Sequence, residues 1–163
     1  MSEKRILLFG ASTMAGFWDP RGGWFARLRE EVDSYSLKNK HNQYQLYNCS
    51  ISGDTSKGLR NRIKTELKAR NHESKEIAAL ISIGGNDALF YKNKGENQTD
   101  LEEFGENLQN ILEKAIQISD KTLFISGTPF KWSKTDPLPW NEDKAYRKED
   151  IERYRRKKLI SLI

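Results

Sequence analysis

Four short apolar runs constrain most strongly what this chain can fold into: RILLF at 5–9, YQLYNC at 44–49, IAALISI at 77–83 and TLFISG at 122–127. The first, third and fourth are continuous rather than alternating, the pattern of strands covered on both faces. Between the runs lie stretches with helical spacing. Trp24, Phe25, Leu28, Val32 and Tyr35 make one stripe. Leu59, Ile63 and Leu67 make a second, with Thr55 or Ser56 as its cap. Leu101, Phe104, Leu108, Ile111, Leu112, Ala115 and Ile118 form a broader face, with Thr99 or Asp100 as cap and Glu102 or Glu103 completing a capping box. A final helix is expected to begin between Asn141 and Lys144 and to carry Ile151, Tyr154, Leu159 and Leu162. Strand then helix, four times over, predicts an α/β fold with a parallel sheet and helices on both faces.

No repeat or Gly/Ser linker divides the 163 residues, which are expected to form one domain, 1–163, able to bury a core without disulfides or metal. A single cysteine, Cys49, excludes an internal disulfide framework and a Cys-rich metal site, and suits a reducing compartment. The opening MSEKRILLFG is too short an apolar run for a secretory signal or membrane span, so a soluble, cytoplasmic chain is expected. Of the net charge of +5, residues 141–163 supply +3, from eight Lys/Arg against five Asp/Glu. The run RYRRKK at 153–158 reads as the solvated face of a terminal helix rather than a nucleic-acid patch, because no other basic or aromatic binding motif accompanies it.

In open parallel sheets ligands collect at the carboxyl ends of the strands. Loops 10–21, 50–56, 84–99 and 127–140 belong to that end, and they hold the unusual patterns GASTMAG, SGDT, GGND and GTPF. A serine hydroxyl needs a base to take its proton, and its oxyanion product needs oriented donors. Gly10 and Ala11 keep the first turn small, so that Ser12 can protrude as a nucleophile and offer its own N–H. Gly53 can bring a second bare N–H close, where a side chain would obstruct the approach. Asn86 offers a carboxamide directly after a buried strand, with Gly84, Gly85 and Asp87 shaping its loop. Phe17, Trp18, Trp24, Phe90, Tyr91, Phe130, Trp132 and Trp140 lie on or beside these loops, available as groove walls or as core. Pro129, Pro137 and Pro139 restrain the last loop as one wall of a site. Cys49 reads as a small buried residue and Asp54 as a turn or cap residue.

In this order, each after an apolar strand, the three motifs resemble the first three blocks of the SGNH family, also called GDSL esterases and lipases, over roughly residues 5 to 130. That resemblance implies a flavodoxin-like three-layer α/β/α fold and an acylhydrolase acting on a small-molecule carboxylic ester, without a cofactor or metal. It implies Ser12 as nucleophile and oxyanion donor, Gly53 as the glycine donor and Asn86 as the asparagine donor. Ala11 stands where the family's name motif has aspartate. The larger departure is that the family takes its triad aspartate and histidine from a late Asp-x-x-His, which is absent from this sequence. The only histidines, His41 and His72, precede strands and fall at the pole opposite Ser12. Two explanations stand open. The chain is a fragment lacking its last strand and therefore inactive alone, the favoured expectation, or a natural variant with another base or no catalysis. Without that strand an uncovered sheet edge would invite a second copy of the chain. Rival readings are a phosphate- or nucleotide-binding flavodoxin-like module and a non-catalytic interaction protein. GASTMAG contains neither GxxxxGK[ST] nor GxGxxG, and a phosphate site leaves Asn86 unexplained.

Overall fold

The computed structural model describes residues 2–71, 76–127 and 129–160. Along the chain run β1 (Ser2–Gly10), α1 (Ser12–Ala15), α2 (Gly23–Lys38), β2 (Asn42–Asn48), α3 (Ser56–Arg70), β3 (Glu76–Ser82), β4 (Phe90–Tyr91), β5 (Glu96–Asn97), α4 (Leu101–Ile118), β6 (Lys121–Phe124), β7 (Lys144–Ala145) and α5 (Lys148–Ile160). The four long strands form a parallel sheet in the order β2-β1-β3-β6. That is the flavodoxin-like order through its fourth strand. The short strands form a second, antiparallel sheet, β5-β4-β7, that the apolar runs did not announce.

Successive side chains of a strand point to opposite faces, which sorts β1 into two cores. Leu7 and Phe9 join Ile77, Ala79 and Ile81 of β3 beneath α3 and α4, where Leu59, Ile63, Leu67, Phe104, Leu108 and Ile111 are all fully buried. Leu8 faces the other way, with Leu46 and Met14 under Trp24, Phe25, Leu28 and Val32 of α2. Each such buried aliphatic or aromatic side chain contributes about 1.5–3 kcal/mol, which is why both helical layers hold. Asp100 caps α4 by accepting from the N–H of Glu102 (2.8 Å) and of Glu103 (3.3 Å). Those two glutamates add negative charge to the positive end of the helix dipole.

Two expectations need correcting. The fourth run is not covered on both faces: Leu123 is 56% and Ile125 37% exposed, because α2 lies over β1 and β2 and no described helix reaches the same face of β6. The last helix starts at Lys148, not between Asn141 and Lys144, because Lys144 and Ala145 are drawn into β7 against Tyr91 and Phe90. Ile151 and Tyr154 are buried as the spacing implied; the side chain of Leu159 and all of Leu162 lie outside the described residues.

Candidate active site

At the end of β1 the chain must turn within two residues. A Cβ on Gly10 would fall 2.3 Å from Met14 Cγ and 2.6 Å from the Ser82 carbonyl oxygen, so only glycine fits between β1, β3 and α1. Ala11 is extended and Ser12 opens the single turn of α1. The Ser12 hydroxyl and amide have no hydrogen-bond partner among the described residues. Ser12 borders a pocket of about 640 Å³ at the carboxyl ends of β1, β3 and β6, together with Gly84, Gly85, Asn86, Ser126, Tyr146 and Lys158.

Asn86 is held at both ends of its carboxamide. Nδ2 donates to the Asp54 carbonyl at 2.8 Å, and Oδ1 accepts from the Tyr146 hydroxyl at 3.0 Å. Its neighbour Asp87 is completely buried and accepts from the Ser56 hydroxyl at 2.6 Å and the Ser56 N–H at 3.0 Å. Burial raises the Asp87 pKa, against the lowering pull of the Ser56 hydrogen bonds. Asn107 extends the network, donating to Ser56 Oγ (3.1 Å) while accepting from Arg60 (2.9 Å). Asp87 therefore pins the loop after β3 to the first turn of α3, where a carboxylate also meets the positive end of the helix.

Gly53 sits in a turn closed by the Asp54 N–H on the Ile51 carbonyl (3.2 Å), and the Ile51 N–H donates to Gly10 (3.1 Å). The structure corrects the reason for glycine there. A Cβ would meet nothing within 4 Å, whereas φ of +77° favours glycine over any L side chain. The Gly53 N–H has no acceptor among the described residues. Ser12 and Asn86 border the pocket directly; Gly53 does not, and is tied in through Asp54. Asp54 is no cap: it pairs with Arg62 (2.6 Å), while Thr55 caps α3 by accepting from the Gly58 N–H. Gly84 leaves room for Lys158 and Phe104, each 2.8 Å from where its Cβ would stand. Gly85 faces open space.

The sequence missed Tyr146 and Lys158. The basic run is not wholly solvated, since Tyr154 and Lys158 are 2% and 5% exposed. Ile151, Tyr154 and Lys158 recur at helical spacing, a signal that the charge obscured. Burial pushes the Lys158 amine down to about 8; Asp87 pulls it up and Arg155 pushes it further down. Its Nζ lies 3.4 Å from the Ser126 carbonyl and 5.6 Å from the Phe124 ring centre. His41 is exposed beside Asn42, which pairs with Ser2. Eight residues of strand separate that register from Gly10, or about 26 Å at about 3.3 Å per residue, so His41 cannot reach Ser12. His72 and Thr128 lie outside the described residues.

Of the candidate aromatic walls, Trp18, Trp24, Phe130 and Trp140 border the pocket, and Phe17, Phe90, Tyr91 and Trp132 do not. Trp132 instead stacks on Phe130 at 5.2 Å. Cys49 is buried and its thiol is pushed up to about 11 by desolvation, so it stays protonated near neutrality. Among the described residues no cluster of three or more His, Cys, Asp or Glu could hold a metal, and no helix is long and apolar enough to cross a membrane.

Comparison with known proteins places the chain in a family of known fold. Esterase TesA of Pseudomonas aeruginosa is 30% identical over 125 residues, covering 76% of this chain and 54% of TesA. The chain thus spans about half the length of that curated relative. A crystal structure of TesA superposes with a TM-score of 0.66 at 25% identity, covering 96% of this chain and 72% of that one. The SGNH-hydrolase family esterase AlinE4 gives 0.59 at 26% identity, over 78% of this chain and 60% of its own. The acetyl xylan esterase AlAXEase gives 0.69 at 21% identity, over 96% and 71%, a likeness of fold alone. The family model for GDSL-like lipases and acylhydrolases matches residues 8–158, and the chain belongs to that family.

Proposed function

We propose that this chain belongs to a serine hydrolase that cleaves carboxylic esters through an acyl-enzyme. The observation that carries the reading is the Ser12 hydroxyl, without a partner among the described residues, bordering the same pocket as the Asn86 carboxamide. Ser12 attacks the ester carbonyl, and the Ser12 N–H, the Gly53 N–H and the second N–H of Asn86 Nδ2 hold the oxyanion. Two of those donors are amides without an acceptor among the described residues, and the third keeps one hydrogen after its bond to Asp54. Donors fixed in advance need no reorganisation when charge develops, and each is worth about 3–4 kcal/mol in a comparable site. Gly10, Gly84, Gly85 and Asp87 shape the turns that present them.

The proton of Ser12 needs a base, and no histidine among the described residues stands at the pocket. We therefore propose that these 163 residues alone turn over esters poorly. A small-molecule ester is the substrate, with no cofactor or nucleic acid involved, and the cytoplasm is the compartment that the buried, protonated Cys49 suits. The exposed Leu123 of edge strand β6 and Ile125 just beyond it favour self-association there.

The deciding experiment exposes protein expressed from its complete reading frame to a fluorophosphonate probe and maps the adduct by peptide mass. Labelling at Ser12 that vanishes in Ser12→Ala, with loss of p-nitrophenyl acetate turnover, is the expected result. An unlabelled Ser12, or turnover that survives Ser12→Ala, overturns the hydrolase reading. Rapid Ser12-dependent turnover by residues 1–163 alone would overturn only the claim of inactivity.

A further inference from the structure

We propose that Tyr146 is a positioning residue for the oxyanion donor Asn86, setting the orientation and the strength of the donor through its carboxamide oxygen. The inference rests on the reading of Asn86 given above and goes beyond it.

A terminal carboxamide rotates easily, and its oxygen and nitrogen are nearly the same size. A donor that must meet a forming oxyanion cannot be left to choose. Here the Asp54 carbonyl accepts from Nδ2 at 2.8 Å, and the Tyr146 hydroxyl donates to Oδ1 at 3.0 Å. A flipped amide would set Oδ1 against the Asp54 carbonyl, acceptor against acceptor, and leave one fewer bond. With both contacts in place, a single N–H remains for the substrate oxygen. The Tyr146 bond also acts through the amide itself. Donation to the carbonyl oxygen draws electron density from nitrogen, which makes the remaining N–H a better donor.

The fold holds Tyr146 where this requires. Ala145, in β7, pairs with Phe90 of β4, three residues beyond Asp87, so the small antiparallel sheet brings Tyr146 beside the Asn86 loop. The Tyr146 N–H donates to the Thr135 carbonyl at 2.8 Å, and its ring lies 5.5 Å from that of Phe130. Phe130 is in turn stacked on Trp132. Burial raises the phenol pKa above its ordinary value, so the hydroxyl remains a donor through neutral and mildly alkaline pH. The short sheet and the aromatic loop thereby gain a purpose that a search for strands and helices does not suggest.

The test is Tyr146→Phe, which keeps the ring and removes only the hydroxyl. In residues 1–163, uniformly ¹⁵N-labelled, the Asn86 side-chain NH₂ pair is assigned by its disappearance in Asn86→Ala. That pair should shift in Tyr146→Phe while signals remote from the loop stay in place; an unmoved pair overturns the proposal without any need for activity. In the protein from the complete reading frame, Tyr146→Phe should lower kcat by about tenfold, a fraction of the 10²–10³ for a lost oxyanion donor, with KM unchanged. In an Asn86→Ala background the same change should do nothing further, whereas a merely structural role would lower kcat equally in both. Full turnover in Asn86→Ala would overturn the oxyanion reading itself. Slow turnover in Asn86→Ala with normal turnover in Tyr146→Phe would overturn only the role given to Tyr146.

Discussion

Replacing Lys158 by methionine should stabilise the protein at neutral pH and cease to do so in alkali. Lys158 is 5% exposed, its amine has a long contact to the Ser126 carbonyl, and burial pushes that amine down to about 8 from an ordinary lysine value of 10.5. At about 1.4 kcal/mol per pH unit, that depression costs the folded state about 3 kcal/mol whenever the unfolded chain would carry the proton. The sign follows from proton counting. Between pH 8 and 10.5 the unfolded state binds more protons than the folded one, so stability of the parent protein rises with pH across that window. Below pH 8 the penalty is present in full; above 10.5 it is gone. Methionine has a similar length and no charge to desolvate. Lys158→Met should therefore exceed the parent by up to about 3 kcal/mol at pH 7, less what is lost with the Ser126 and Phe124 contacts. The gap should close through pH 8 to 10.5. Urea unfolding of both proteins at unit steps of pH from 7 to 11 measures it, and ionisation of groups remote from Lys158 cancels in the difference. A gap independent of pH, or a variant weaker than the parent at pH 7, would refute the account of Lys158 as an amine whose pKa is set chiefly by desolvation.

Three further substitutions probe the turns that build the site. Gly10→Ala should cost about 1–3 kcal/mol or fail to fold, because its methyl would collide with Met14 and the Ser82 carbonyl; thermal unfolding within a degree of the parent would contradict this. Gly53→Ala should cost only about 1–2 kcal/mol, from the left-handed backbone, since the methyl meets open space; a larger loss of stability would mean that the turn is packed more tightly than its geometry implies. Ser56→Ala should cost about 1–3 kcal/mol by removing the hydroxyl between buried Asp87 and Asn107, and denaturant midpoints for Ser56→Ala and Ser56→Thr would show whether the hydroxyl or the cavity matters.

Much of the fold was legible in one dimension because it depends on local rules. The run 5–9 is continuous and apolar, and β1 is indeed covered on both faces. The stripe from Leu101 to Ile118 has helical period, and α4 follows it with Asp100 as cap. The small residues of GASTMAG, SGDT and GGND marked three strand ends, and a parallel sheet must bring such ends to one pole. The same logic puts His41, which precedes β2, at the other pole. Where local rules misled, the residues were recruited by distant partners. Lys144 falls within the expected helix start, yet it and Ala145 pair with a strand more than fifty residues earlier.

Sequence alone, then, determined the nucleophile candidate, the donor candidates and the sheet that carries them: the sheet follows from periodicity, and the candidates from small or carboxamide residues at strand ends and from the resemblance of those motifs to the SGNH blocks. Tertiary structure decided which groups are buried and which face one another. Tyr146 touches Asn86 across sixty residues of chain, and Lys158 loses its water only because α5 folds over Gly84 and Phe124. Hydrogen bonds and desolvation act through space, and spacing along a chain does not encode that distance.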